Sequence, residues 1–408
     1  MHLDPLPGAS GSSGPLAGIR VVAVEHSVAG PLATRILGEL GAEVVKLERP
    51  GLGDFSRHWD ENVSGEGAQF WWLNRFKSSV AIDLKSPDGQ QALTTLLGRS
   101  DVLLHNLAPP SAERLGLDEA SIRRRFPQLI NCQISGYGAD GPAAARKAYD
   151  MLVQAETGVM SLTGTPDQAM RVGVSISDVT TGIYSALLVL AALLERRQTG
   201  VGRHLDMAMF DVTIEFLGPM LVSYLNAGTT YPRIPDHHHA IAPYGAFTCR
   251  DGERVLIAVE QDSEWERLCL EVLGDEVLAY DPRYETNTLR LEHREELRAL
   301  LSDRFAHRTS NSVIEALRAA GLAYARVNDV SIVAEHDVVA HRGIIQDSVT
   351  HDGVSVRRLA GIAERLFSVT PPERDRPPTL GEDTEIYLAS LESFAPADRT
   401  HVEELEHG

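Results

Sequence analysis

At 408 residues the chain exceeds one ordinary hydrophobic core, so two domains are expected. Its 43% hydrophobic and 23% charged composition is that of a globular protein, and a net charge of −19 argues against a nucleic-acid or anionic-membrane surface. Cys132, Cys249 and Cys269 stand at unrelated spacings that make neither a disulfide framework nor a metal knuckle, which fits a reducing, cytoplasmic setting. Residues 1–15 are rich in Gly, Ser and Pro without the charged and apolar regions of a signal peptide, and read as a disordered lead-in. No apolar run reaches the ~20 residues of a membrane span; the run at 183–194 reads as a buried core helix.

In chain order, Ile19–Val24 and Ala42–Leu47 read as strands around a helix at Pro31–Leu40, which is a βαβ unit. The first turn, Glu25 to Pro31, has one glycine where a dinucleotide fingerprint has three, so nothing there supports a nicotinamide cofactor. Val80–Leu84 reads as a strand, and Ser86-Pro87 as the cap and first residue of a helix to about Gly98. Asp101–Asn106 is a strand, Leu115–Phe126 mostly helix, and Leu129–Ser135 a strand ending at Gly136-Tyr137-Gly138. The alternation predicts an α/β, Rossmann-like parallel sheet with helices on both faces and ligands beyond the strands' carboxyl ends.

Ser175 to Gly182 opens the apolar run, and Arg196, Arg197 and Gly200 close it with helix-ending signals. Asp178 therefore sits at the start of a buried helix, where free N–H groups and the macrodipole favour an ionised carboxylate. Its bare reading is a helix N-cap. His204–Met209 reads as a strand, followed by a less regular stretch to about Pro235. Ala246–Arg250 and Arg254–Val259 flank Asp251-Gly252 as a hairpin, with helices at 263–273, 291–306 and 312–320, the last with a Ser312…Glu315 capping box. This texture sets 225–330 apart as a smaller α+β domain, leaving 16–224 and 331–408 to the large domain. Short strands (Gly353–Leu359), a Pro-rich segment and a helix near Glu382–Leu391 end the chain.

Several of these stretches resemble the family III CoA-transferases, the CaiB/BaiF group. Leu16-Ala17-Gly18-Ile19, Ala29-Gly30-Pro31 and Leu40 to Glu48 are similar to the family's opening motif, and Gly53-Asp54…Arg57 to its GDxxR. Asn74 to Ser79 with Asp83-Leu84-Lys85, Asp101–Asn106, Glu113 to Gly116, Ser135–Pro142 and Pro378 to Thr384 match further motifs in the same order. The resemblance implies that Asp178 is the catalytic nucleophile, passing through a mixed anhydride and an aspartyl-CoA thioester, in a site shielded from water. It implies CoA-binding positions at Arg49, Ile82, Lys85, Asn106, Leu107, Arg114 and Lys147, the cations suiting the phosphates of CoA. Tyr149, Asp150 and Gly245 are candidates for assisting roles, Gly245 closing a loop that begins at His237.

The chain departs from the family pattern at Ser177, where glycine is frequent, and at His105-Asn106-Leu107-Ala108-Pro109-Pro110, which lacks an arginine. His237, His238 and His239 are adjacent, point in different directions and lack spaced carboxylates, so no metal site is expected. The similarity of Gly53–Asp60 and Phe70–Arg75 to members acting on C4–C5 dicarboxylates makes His26, Arg57 and His239 substrate candidates, with Arg57 pairing a distal carboxylate. Acyl-CoA and a carboxylic acid are then the substrates, with no permanently bound cofactor and an interlocked homodimer as the assembly. Two alternatives stand beside this reading: an isomerase resembling the α-methylacyl-CoA racemases, and a non-catalytic CoA-binding protein. The racemases carry His-Asp where this chain has Tyr149-Asp150, and a phenol, which ordinarily titrates near ~10, is a poor neutral-pH base.

Overall fold

The computed structural model describes residues 13–367 and 375–392. The expected lead-in up to residue 12 and part of the Pro-rich segment lie outside them. The chain divides into two compact units, one running to Val159 and including Val172–Gly218 and the residues from Ala340, the other Met160–Arg171 and Pro219–Val339.

The first unit is built on six parallel strands: β1 (Arg20–Val24), β2 (Glu43–Glu48), β3 (Lys77–Ala81), β4 (Val102–His105), β5 (Ile130–Ser135) and β6 (His204–Ala208). They lie in the order β3-β2-β1-β4-β5-β6, the doubly wound Rossmann order. Strand alternation divides the core cleanly. Val21, Ala23, Val102, Leu104, Ile130 and Cys132 face the helices Ala29–Glu39 and Ile176–Thr199, which contribute Ala33, Leu37, Ala186 and Val189. Val22, Val24, Val45, Leu47 and Leu103 face the other way, against Leu93 and Leu96 of the helix Pro87–Leu97 and Tyr387 of Thr384–Glu392.

The helix Ile176–Thr199 is 24 residues long with mean hydropathy 1.7, enough by length and composition to cross a membrane. Its buried stripe is instead part of the sheet's helical layer. Gly182 makes that packing possible, because a Cβ there would meet the Ala29 carbonyl oxygen at 2.8 Å and Leu32 Cβ at 2.9 Å. A two-stranded ribbon, β10 (Ile345–Val349) with β11 (Ser355–Leu359), belongs to the same unit.

The second unit carries an antiparallel sheet of β7 (Tyr244–Thr248), β8 (Arg254–Ala258) and β9 (Ala323–Arg326). Trp265, Leu268, Leu297, Leu301, Phe305, Val313 and Leu317 from its helices bury the inner side of that sheet.

Four sequence expectations are corrected. The third strand is Lys77–Ala81, not Val80–Leu84, because its polar residues are paired inside the fold. Of Leu115–Phe126 only Glu119–Arg125 is helical, capped by Asp118, and a separate helix, Pro109–Arg114, precedes the stretch. The stretch before Pro235 contains the helices Met209–Ile214 and Gly218–Ala227. The helix Ser310–Ala319 is capped by Thr309, whose side chain accepts from the Ser312 N–H, so Ser312 lies inside it.

Candidate active site

In a parallel sheet every carboxyl end lies on one rim, and the order in which successive strands are laid down reverses between β1 and β4. That switch point opens the crevice where doubly wound sheets bind ligands. Glu25 and His26 follow β1, Arg49 follows β2, Ile82 follows β3, Asn106 and Leu107 follow β4, and Gly136 to Gly138 follow β5. Arg114 lies at the end of the helix after β4, and Lys147 on the connection after β5. Arg49, Lys85, Arg114 and Lys147 are exposed, whereas Ile82 and Leu107 are partly buried. Arg114 donates to the Ser111 hydroxyl.

The β1 turn is held from below by buried charges. Lys77 Nζ donates to Glu25 Oε1 at 2.7 Å, to the Pro31 carbonyl and to Asn74 Oδ1. Lys46 Nζ donates to Asp54 Oδ2 at 2.8 Å. Asp54 Oδ1 accepts from the N–H groups of Ser27 and Ser56, holding Ser27 at φ 68°. Burial would raise the Asp54 carboxyl, but Lys46 and those N–H groups hold it well below the usual carboxylate range. Burial takes Lys77 down to about 7 despite Glu25. His26, at the top of the turn, touches Ser27 Oγ through Nδ1 and meets Phe55 edge to face, and burial lowers its pKa.

Asp178 reaches the same rim. The helix Ile176–Thr199 runs back from the rim to feed β6, and Val179 packs on Val28 and Leu32 beside the β1 turn. Asp178 is not the cap expected from the sequence. Ser175 precedes the helix without a side-chain cap, and Asp178 lies within the first turn. The carboxylate that takes the helix-end N–H groups is Asp150, whose Oδ1 accepts from Ser177 at 2.8 Å and from Asp178 at 3.4 Å. Asp150 is 8% exposed, and its Oδ2 accepts from Gln154 Nε2 at 2.7 Å. Gln154 Oε1 in turn accepts from the Val172 N–H. The expectation that the helix end keeps Asp178 ionised is corrected too: burial and then the Asp150 charge push its pKa up to about 7. Asp178 makes no side-chain hydrogen bond among the described residues.

This capping is not evident from the sequence, because Asp150 and Gln154 belong to a short helix, Asp150–Thr157, far from Asp178 in the chain. The polar Asp150…Gln154 pair, one helical turn apart, is the sequence signal for it. Tyr149 stands just before that helix and is 69% exposed.

Three candidates are otherwise engaged. Arg57 is buried, donates Nε and Nη2 to Glu48 and both Nη atoms to the Pro378 carbonyl, and lies 3.8 Å over the Phe70 ring. Four of its five N–H groups are thus engaged and its charge is paired with Glu48, not held free for a distal carboxylate, which corrects that expectation. In the second unit, Gly245 is a buried residue of β7 paired with Ile257, and a Cβ there would strike the His237 ring at 2.5 Å. The expected His237–Gly245 loop is pinned by a bridge between its two ends and by His238 stacked between Tyr244 and His239. His239 also meets Tyr231 edge to face, and its carbonyl accepts from Arg294. No His/Cys/Asp/Glu cluster suited to a metal occurs among the described residues.

Residues 16–384 match the sequence profile of CoA-transferase family III. The chain is a family III CoA-transferase. It is 35% identical to a succinate–glutarate CoA-transferase of Agrobacterium fabrum, over 93% of this chain and 96% of that protein. It is 32% identical to a succinyl-CoA–D-citramalate CoA-transferase of Chloroflexus aurantiacus, over 71% of this chain and 72% of that protein. Among solved structures, a CaiB/BaiF family protein from Brucella suis superposes with a TM-score of 0.80 at 33% identity, covering 93% of this chain and 99% of that one. The family III CoA-transferase therefore has the mixed α/β architecture of the CaiB/BaiF group, with the carboxylate of Asp178 at the first turn of the helix Ile176–Thr199.

Proposed function

We propose that the enzyme moves coenzyme A from an acyl-CoA donor to a carboxylic acid through covalent intermediates on Asp178. The observation that carries this reading is the unpaired Asp178 carboxylate at the rim, beside the switch point. A carboxylate oxygen attacks the thioester carbonyl, the C–S bond breaks, and a mixed anhydride forms as CoA thiolate leaves. The thiolate then attacks the Asp178 carbonyl, giving aspartyl-CoA thioester and the free donor acid. The acceptor carboxylate repeats these steps in reverse, so charge and atoms balance without a cofactor. Arg49, Lys85, Arg114 and Lys147 supply exposed cations for the CoA phosphates, and the partly buried Ile82 and Leu107 supply apolar surface for the adenine.

The acids are C4–C5 dicarboxylates in this reading. Support comes from the relatives named for succinate, glutarate and D-citramalate, while Arg57, bound to Glu48, gives none. The working form is a homodimer, to which the exposed apolar side of Ile183, Leu187 and Leu194 lends support. The unpaired buried cysteines suit a cytoplasmic setting.

The test is to mix the enzyme with succinyl-CoA, quench with hydroxylamine or borohydride and map the modified residue by mass spectrometry. Modification of Asp178, and CoA exchange with glutarate faster than with monocarboxylates, is expected. Label on another residue, or α-proton exchange without CoA transfer, would sink the reading. Light scattering checks the dimer.

A further inference from the structure

A carboxylate in the first turn of a helix ordinarily gains from the N–H groups and positive pole there, which makes it a weaker base and a weaker nucleophile. In this chain a second carboxylate occupies that position. Asp150, from a different helix, accepts from the N–H groups of Ser177 and Asp178, while Gln154 holds its other oxygen and ties down Val172 at the far end of the same segment. The segment 172–178 is therefore hung on one Asp–Gln pair, and the Asp178 side chain is the group left over.

Resting on the reading of Asp178 as nucleophile, we propose that Asp150 is its positioning residue. It fixes the first turn of the helix Ile176–Thr199, and its negative charge offsets the helix pole so that Asp178 stays a basic, reactive carboxylate. Asp150 itself touches no reacting atom; it acts through the backbone and the field. The neighbours of this end of the helix are apolar where they meet Val179 and Gly182. The helix Ala29–Glu39 presents Ala29 and Leu32 to Gly182, Val28 lies against Val179, and the helix Met209–Ile214 buries Met209, Val212 and Thr213. The charge that acts on Asp178 is that of Asp150, from the helix Asp150–Thr157, and it raises the Asp178 pKa after burial does.

The test measures single-turnover formation of the Asp178 adduct from succinyl-CoA between pH 5 and 9, quenched with hydroxylamine, with Asp178→Asn as the blank. Asp150→Asn keeps an oxygen for the Ser177 N–H and removes the charge. Its acid limb is expected about one pH unit below that of the wild type, with a plateau lowered on the order of tenfold because a less basic carboxylate attacks more slowly. Where the lone substitution fails to fold, Asp150→Asn with Gln154→Glu restores each hydrogen bond with the charge moved away from Asp178, and an acid limb below wild type is again expected. An unchanged limb and plateau with only a lower Tm would mean a purely structural cap and overturn the proposal. No adduct in the wild type at any pH would overturn the nucleophile reading itself, and the proposal with it.

Discussion

The side-chain amide of Asn106 grips the backbone of His26 at both ends: Nδ2 donates to the His26 carbonyl at 2.7 Å, and Oδ1 accepts from its N–H at 3.1 Å. The two residues follow β4 and β1, so this pair ties together the two sides of the switch point. Asn106→Ala leaves two backbone groups without partners, at a cost of about 1–3 kcal/mol each if water cannot reach them. The expected result is a lower Tm with a kcat/KM reduced on the order of tenfold, since the loosened turn carries Val28 against Val179 beside Asp178. Had the side chain served CoA directly, Asn106→Ala would raise KM for acyl-CoA and leave Tm alone. Thermal unfolding and initial-rate kinetics on the one variant separate the two.

Gly182 sets how closely the nucleophile's helix can approach the β1 turn. A methyl group there meets the Ala29 carbonyl at 2.8 Å, and backbone cannot yield as a flexible side chain would. Gly182→Ala gains about 1 kcal/mol in helix propensity and loses about 1–3 kcal/mol to overpacking. Asp178, about one turn away, is displaced with the helix. Activity is therefore expected to fall by roughly tenfold to a hundredfold while stability changes little. A loss of Tm without loss of kcat would contradict this.

The sheet was largely legible because buried parallel strands are aliphatic runs, and Val21 to Val24 and Leu103-Leu104 need no partner to be recognised. Ser86-Pro87 likewise announces its helix locally, and Ser86 does accept from the Gly89 N–H. What the sequence conceals is polar and distant. β3 is hidden in the sequence because Lys77 and Ser79 look like surface residues until Glu25 and Glu48 arrive to pair them. Asp178 looks like a cap in the sequence because the residue that caps its helix stands 28 positions earlier, on a different helix. Arg57 looks free for a substrate in the sequence because its pairing with Glu48 across a turn and with the Pro378 carbonyl, 321 positions on, exists only in the fold.

Arg57 supports a prediction that contradicts the sequence reading. Glu48 depends on it: burial would raise the Glu48 carboxyl, and the Arg57 hydrogen bond and Lys46 hold it below its ordinary value. Removing one partner of a buried pair costs about 3–5 kcal/mol, because the other charge stays buried. Arg57→Ala is expected to lower stability by that order in urea unfolding, and Arg57→Ala with Glu48→Gln to recover part of it. The ratio of kcat/KM for glutarate over a monocarboxylate should stay within about twofold of the wild-type ratio. A collapse of that ratio with unchanged stability would return Arg57 to the substrate site.

Asp178 should cost the fold stability in proportion to its charge. Its pKa is pushed up to about 7 by burial and then by Asp150, against an ordinary value near ~4. The native state therefore holds a proton that the unfolded state has lost between those two pH values. Stability from this group is fully present below about 4, declines as pH rises towards 7, and is gone above it. Asp178→Asn removes the charge and keeps the shape, so it abolishes adduct formation and lowers turnover on the order of 10³-fold or more. The same variant is expected to be more stable than the wild type at pH 8, by about 1 kcal/mol or more, with the gap closing towards pH 5. Differential scanning calorimetry of both proteins at pH 5 and pH 8 measures this. A variant less stable than the wild type at pH 8 would show that the ionised carboxylate is stabilised where it stands, and would remove the electrostatic basis for its reactivity.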